Sequence, residues 1–364
     1  MPDLLVSPLH GSHVALGAKF AEFGGWSMPL QYNSIVAEHK AVRSGVGVFD
    51  VSHLGKTRVS GPGAKDFLNA CLANDLDRIG PGQAQYTLCC SAEGGVVDDL
   101  IAYLRADDDV FLIPNAANNA EVVRLLAEAA PEGITVENQH TAFAVIAVQG
   151  PSSDELIEAL GADADFAYMQ FRPGEIAGAA LTICRTGYTG ERGYELVCRS
   201  DEAGVVWDSV LTAGEPLGIV PCGLGARDTL RTEMGYALHG HELSRDITPV
   251  MAGLTWAIGW DKPAFWGADA LRAERAAGPA RRLRAIKASG RAIPRPGMDV
   301  VDAAGAVVGT VTSGTFSPTL GVGIGLALLD PRFKPGSEVG VVVRNRTEAF
   351  GVEKAPLVQP QVRS

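Results

Sequence analysis

Glycine and proline interrupt this chain too often for a long helix to run anywhere along it. Its 364 residues include 43 glycines and 21 prolines. Each breaks continuity, glycine through the backbone entropy it must surrender and proline through its missing N–H. Helical periodicity survives only in short windows, at Ser34 to Arg43, Ala64 to Leu72, Ala117 to Ala129, Ser152 to Leu160, Glu202 to Leu211 and Gly225 to Met234. Short apolar runs fill most of the gaps. Strands without regular βαβ alternation predict α+β domains on mainly antiparallel sheets, and the segment after Met251 reads almost wholly as strands and turns, as in a small barrel. A helical bundle is excluded, and no internal repeat stands out.

The length exceeds that at which one hydrophobic core stops growing, so two or three domains are expected. Hydrophobic residues make up 46% and charged residues 20%, a soluble globular balance. No apolar stretch reaches the roughly 18 residues a membrane span needs, and the amino terminus lacks the pattern of a secretory leader. Cytoplasmic residence is the expectation, with no membrane partner. A net charge of −11 argues against nucleic acid, whose binding needs Lys and Arg to neutralise phosphates. Arg281, Arg282, Arg284, Lys287, Arg291 and Arg295 form a local basic cluster, either a solvated face or a docking surface for an acidic partner. Cysteines 71, 89, 90, 184, 198 and 222 show no Cys-x-x-Cys spacing, and the pairs His10/His13 and His239/His241 lack a third ligand, so no metal is expected. Dinucleotide, Walker A and nucleophile-elbow signatures are also missing.

Three segments carry the chemistry. Arg185 to Glu195 places Gly187, Gly190 and Gly193 between two β-prone runs, Leu181 to Cys184 and Leu196 to Cys198. A glycine-rich hairpin tip and a ligand-facing turn are both consistent with it. In Gly94 to Leu104, Asp98 and Asp99 sit inside an apolar strand where acids are disfavoured. Alternation puts them on opposite faces, with Asp99 beside Val97, Ile101 and Tyr103, so only one enters a given pocket. In Cys222 to Arg231, two glycines lead into a helix carrying Arg227, Asp228 and Arg231 near its start. Cations are disfavoured there by the helix dipole, so the arginines are either ion-paired to Asp228 or reserved for a ligand.

In their order these segments resemble the aminomethyltransferase, or T protein, family of the glycine cleavage system. The likeness runs along nearly the whole chain: Phe23-Gly-Gly-Trp-Ser-Met-Pro-Leu-Gln-Tyr32, Glu38-His39, Val48-Phe-Asp-Val-Ser-His53, Tyr86, the acidic strand, Asn115-Ala-Ala-Asn118, the glycine turn, Gly223 to Arg231, Thr312-Ser-Gly and Ser317-Pro318. Departures are Leu54 for the family's usual methionine, Arg192 for aspartate or glycine, and His239 for tyrosine.

The resemblance implies a three-domain, cloverleaf-like α+β fold with a C-terminal β-barrel around a central folate cavity. The domains would be 1–50 with 141–245, then 51–140, then 252–364. The reaction implied is transfer of a methylene carbon from the aminomethyl-lipoyl arm of the glycine cleavage H protein to tetrahydrofolate, with release of ammonia. Asp99 would stabilise the positive charge that develops as the N–CH2–S unit breaks. Glu195 would accept hydrogen bonds from the pterin edge, Arg227 would supply the matching cationic donor, and Tyr86 and Tyr188 would pack on or hydrogen-bond the folate. Asn115 is a further candidate folate contact. A folate-dependent demethylase of the same superfamily, or a non-enzymatic folate-binding member, is the alternative. The non-enzymatic relatives carry a cysteine motif near the glycine turn, which here reads Arg185-Thr-Gly-Tyr-Thr-Gly-Glu191.

Overall fold

The computed structural model describes residues 4–363; residues 1–3 and 364, the outer ends of the expected first and last domains, lie outside the described residues. Four sheets organise the described residues. A small one pairs Leu5–Val6, Trp26–Gln31 and Lys19–Phe23. A six-stranded sheet is assembled from distant segments, in the order Phe171–Ile176, Ala179–Cys184, Gly193–Arg199, Phe143–Gln149, Gly47–Asp50 and Val220–Pro221. A five-stranded sheet runs Gln83–Cys90, Val96–Ala106, Asp109–Ile113, Thr57–Ser60, Thr135–Asn138. Six strands between Arg282 and Glu353 close into a barrel. Two pairings are parallel, Leu5–Val6 on Trp26–Gln31 and Val220–Pro221 on Gly47–Asp50, and the sheets are otherwise antiparallel.

All six helices expected from periodicity form within a few residues of their windows, for example Ile35–Ser44 and Leu224–Met234. The short helix His10–Ala15 was not legible. One expectation is corrected after Met251, where the helix Ala268–Ala277 interrupts the run of strands and the barrel begins only at Arg282. Leu243, Val250, Ala257, Phe265 and Leu271 instead bury their side chains against Leu88 and Val96 of the five-stranded sheet. Apolar demand on that sheet's outer face outweighs sequence proximity to the barrel.

The junction that matters is where the six- and five-stranded sheets meet. Phe49, Val145 and Val197 of one pack with Ala84, Tyr103 and Phe111 of the other, and Ala226 and Leu230 of the helix Leu224–Met234 close the same cluster. Three elements carrying chemistry-bearing residues therefore converge on one seam.

The glycine turn lies at this seam, on the hairpin that joins Ala179–Cys184 to Gly193–Arg199 with Cys184 opposite Glu195. Its three glycines serve different ends. Only Gly190 takes a positive φ, +84°. A side chain at Gly187 or Gly193 would strike Gln149, whose amide reaches the Thr186 and Tyr194 carbonyls at 3.2 and 3.4 Å and accepts from the Thr189 hydroxyl at 2.8 Å. Gln149 fills the turn from within, so these two glycines make room for an amide rather than for a ligand. Arg192, which departs from the family pattern, ion-pairs with Asp154 at the start of the helix Ser153–Ala159.

At Gly190 an added methyl would overlap the Met234 thioether as well as force an L residue to positive φ. Gly161 has a similar φ of +78° with open space around it. Gly161→Ala should cost about 1 kcal/mol of backbone strain, and Gly190→Ala about 2 kcal/mol more through overpacking, in denaturant unfolding. Equal costs would contradict the packing account.

Candidate functional site

Tyr86, Asp99, Asn115, Tyr188, Glu195 and Arg227 are all half-buried, although most of their sequence neighbours are fully buried. They come together. The Tyr86 hydroxyl donates to Asp99 Oδ2 at 3.0 Å, and Asn115 Nδ2 donates to Asp99 Oδ1 at 2.8 Å. The charge of Asp99 helps hold the hydroxyls of both Tyr86 and Tyr188 protonated, after burial, which is the larger cause. Tyr188 donates to the Ala237 carbonyl, and its ring carries the Arg227 guanidinium 4.2 Å from its centroid. Arg227 in turn opposes the rise that burial imposes on the Glu195 carboxyl, which accepts from the Thr186 hydroxyl.

The acidic strand departs from simple alternation. A bulge lies opposite Cys89 and Cys90, so Asp98 pairs with Cys89 but Val96, not Val97, pairs with Cys90. Val97 consequently packs with Leu100, Ala102 and Leu104 on the face away from Asp99, correcting the expectation that Val97 and Asp99 share a face. Asp98 and Asp99 do point to opposite faces, yet one residue reaches both. Ile113 pairs with Ile101, which brings Asn115, two residues on, opposite Asp99 at the end of the ladder. From there Asn115 Nδ2 donates to Asp98 Oδ1 and Asp99 Oδ1, both at 2.8 Å, and to the Asp99 carbonyl at 2.9 Å. Nothing in the sequence signalled that bridge.

Burial pushes both carboxyls above the usual carboxylate range. For Asp98 the Asp99 charge adds to the rise, while for Asp99 the Tyr86 hydroxyl and nearby His239 oppose it. His239 donates from Nε2 to the Val96 carbonyl at 3.2 Å, next to the acidic strand. Trp256, 62% exposed, stacks on Tyr86 with ring centroids 5.4 Å apart. A lone tryptophan in the single 3-10 turn Thr255–Ala257 gave no signal in the sequence.

The two arginines of the helix divide the open alternatives between them. Arg231 is the structural one. It lies in the last turn and bonds Asp228 at 2.7 Å, the fully buried Glu242 at 2.9 Å and Ser313 of the barrel at 2.7 Å. The Arg227 guanidinium makes no hydrogen bond or ion pair with a protein group among the described residues, and it lies against the Tyr188 face. Burial lowers its pKa without any carboxylate in contact to repay the desolvation.

Elsewhere the basic cluster is partly committed to the barrel. Arg281 donates to the Val308 carbonyl at 2.6 Å, Arg284 to that of Phe333 at 3.1 Å, and Lys287 pairs with Glu353 at 3.1 Å. All six cysteines are buried thiols. Among the described residues, no group of three or more His, Cys, Asp or Glu side chains is arranged to hold a metal ion, and no helix is long and apolar enough to cross a membrane. A cavity of about 560 Å³ lies behind the acidic strand, between Cys90, Val97, Leu125 and Phe265. The site residues are not part of it.

Replacing Arg231 with methionine strands the buried Glu242 charge and should cost about 3–5 kcal/mol in denaturant unfolding. Arg227→Met breaks no protein contact except the Tyr188 stack and should cost within about 1 kcal/mol. Comparable losses would mean that Arg227 is structural.

Comparison with known proteins supplies the remaining finding. The family model described as GCVT N-terminal domain matches residues 9–262, and that described as Glycine cleavage T-protein C-terminal barrel domain matches residues 281–359. An aminomethyltransferase of Parafrankia sp. is 60% identical over 365 residues, covering 100% of both chains. That of Frankia alni is 61% identical over 98% of this chain and 99% of its own, and that of Mycobacterium tuberculosis strain H37Rv is 54% identical over 100% and 99%. The crystal structure of glycine cleavage system aminomethyltransferase T from Bartonella henselae superposes with a TM-score of 0.93 at 32% identity, covering 99% of this chain and 100% of that one.

Proposed function

Because the chain belongs to the glycine cleavage T-protein family and is an aminomethyltransferase of that system, we propose that the seam between its two sheets binds tetrahydrofolate and sets Asp99 beside the carbon being transferred. The observation that carries this reading is the unpaired, half-buried Arg227 guanidinium. A cation taken from water without a protein partner needs an anionic or carbonyl partner from elsewhere. Glu195, near Arg227 and held by Thr186 from one side, complements it as an acceptor for a two-donor edge. A pterin offers both halves of that pattern. Tetrahydrofolate, when bound, supplies the two nitrogens that receive the carbon.

The chain's own residues then do three things. Asp99 presents a carboxylate whose two oxygens are fixed by Tyr86 and Asn115. Held in that pose, it stabilises positive charge developing at the transferred carbon with no reorganisation at the moment of reaction. Its raised pKa also makes it a better proton acceptor than an ordinary aspartate, though charge stabilisation remains its main role. Tyr86, stacked under Trp256, and Tyr188, under Arg227, form aromatic walls that exclude water from that charge. Asn115 acts chiefly through the acids, since its amide donors are already spent on them.

The donor we propose is an aminomethyl group on the lipoyl arm of the H protein, with ammonia leaving. Arg281 and Arg291, both exposed, are the groups we assign to docking that carrier. We take the domain division as 1–50 with 141–245, 51–140, and 252–364, arranged as a cloverleaf around the folate, with residues 252–281 packed on the middle domain. Cytoplasmic residence fits the bacterial relatives.

Asp99→Asn should keep the fold and most folate affinity while slowing methylene transfer by roughly 10²-fold or more, read as ammonia and methylenetetrahydrofolate formed from aminomethyl-lipoyl carrier. Near-normal turnover would discredit Asp99, and absence of both products with the unaltered enzyme would overturn the reaction. Arg281→Ser with Arg291→Ser should raise the KM for the carrier several-fold at low salt, an effect that fades as salt screens the charges. Kinetics unchanged at low salt would remove the docking assignment.

A further inference from the structure

Asp98 has no part in the chemistry above, yet it is the more costly of the two acids to bury. It is 0% exposed in the interior of the five-stranded sheet, where it faces Cys89 across the strand pair. Its carboxylate accepts from the Asn115 backbone N–H at 2.9 Å, from Asn115 Nδ2 at 2.8 Å and from Asn118 Nδ2 at 2.7 Å. Three amide donors surround it, and among the described residues no Lys, Arg or His forms an ion pair with it. An aspartate solvated only by amides inside a sheet is an expensive way to cap a turn, because a neutral asparagine or serine could satisfy much of the same turn.

What a neutral residue could not do follows from the Asn115 amide. One hydrogen of Nδ2 is held on Asp98 while the same nitrogen reaches the Asp99 carboxylate on the opposite face of the strand. The carboxylate of Asp98 and the backbone contact at Asn115 N fix the amide in position and in rotamer. Asp99 is thereby gripped on Oδ1 through Asn115 and on Oδ2 by the Tyr86 hydroxyl. The geometry points to Asp98 as a positioning residue for the transfer step: it anchors the Asn115 amide that aims Asp99. This rests on Asp99 being the transfer residue.

The test is kcat and kcat/KM for folate in four enzymes: unaltered, Asp98→Asn, Asn115→Ser and the double variant. Folate affinity by calorimetry and thermal melting are measured beside it. Asp98→Asn should lower kcat about tenfold and leave the folate Kd within about threefold, a split that loss of aim produces and loss of the folate site does not. Asn115→Ser cuts the bridge itself, so it should lower kcat comparably with the folate Kd again little changed. The double variant should lose less than the product of the two. A double variant that loses the full product of the two means that Asp98 acts apart from the bridge and overturns the inference, as does a rate in Asp98→Asn within twofold of the unaltered enzyme. Should Asp98→Asn fail to fold, Asn115→Ser decides alone, because unchanged kcat there leaves no bridge for Asp98 to act through. Either failure leaves the reading of Asp99 standing so long as Asp99→Asn still slows transfer by roughly 10²-fold or more.

Discussion

The helix Leu224–Met234 holds the surrounding parts in register because its far end is buried with charges of both signs, each fully engaged. Glu233, 0% exposed, takes Arg43 at 2.8 Å, His39 at 3.3 Å, and the Ser317 and Thr319 hydroxyls of the barrel side. Arg231 takes Asp228, Glu242 and Ser313. Arg43 also reaches the Thr189 carbonyl and Glu191 in the glycine turn, at 2.7 and 2.8 Å. Charges desolvated this thoroughly are tolerated only with near-complete hydrogen bonding, which ties helix, turn and barrel to one geometry. The unengaged Arg227 one turn earlier stands out against that background.

That contrast separates scaffold from site more sharply than burial alone. The folded chain spends its polar groups on itself at Glu233, Arg231 and Gln149, and leaves a half-buried carboxylate, a guanidinium and two aromatic faces along one seam. A transfer reaction with developing positive charge needs that combination of a fixed anion and excluded water. No group in the seam serves as a covalent nucleophile in this account, and its carbon passes between two bound partners.

Much of this was legible in the chain and some was not. The short-element α+β character, the six periodic helices and the hairpin beneath the glycine turn follow from local patterning, which packing reinforced. The acid, the arginine and the tyrosines stood out because each breaks a local preference or carries the family's order. Three things needed the third dimension. The bulge at Val97 moves one side chain to the other face, and alternation has no way to announce it. Gln149 explains two glycines from 38 and 44 residues away in sequence, a contact between strands that only register reveals. Arg227 and Arg231 look equivalent in sequence, and only Glu242 and Ser313, brought in from other segments, tell them apart.

The central claim is that Arg227 is held unpaired for the folate. Calorimetric titration of tetrahydrofolate into the unaltered enzyme and into Arg227→Ala, at matched pH and salt, tests it most directly. The account predicts weakening of about tenfold or more with an unchanged melting transition, the scale of a lost charged hydrogen bond. Equal folate affinity in the two proteins would contradict it.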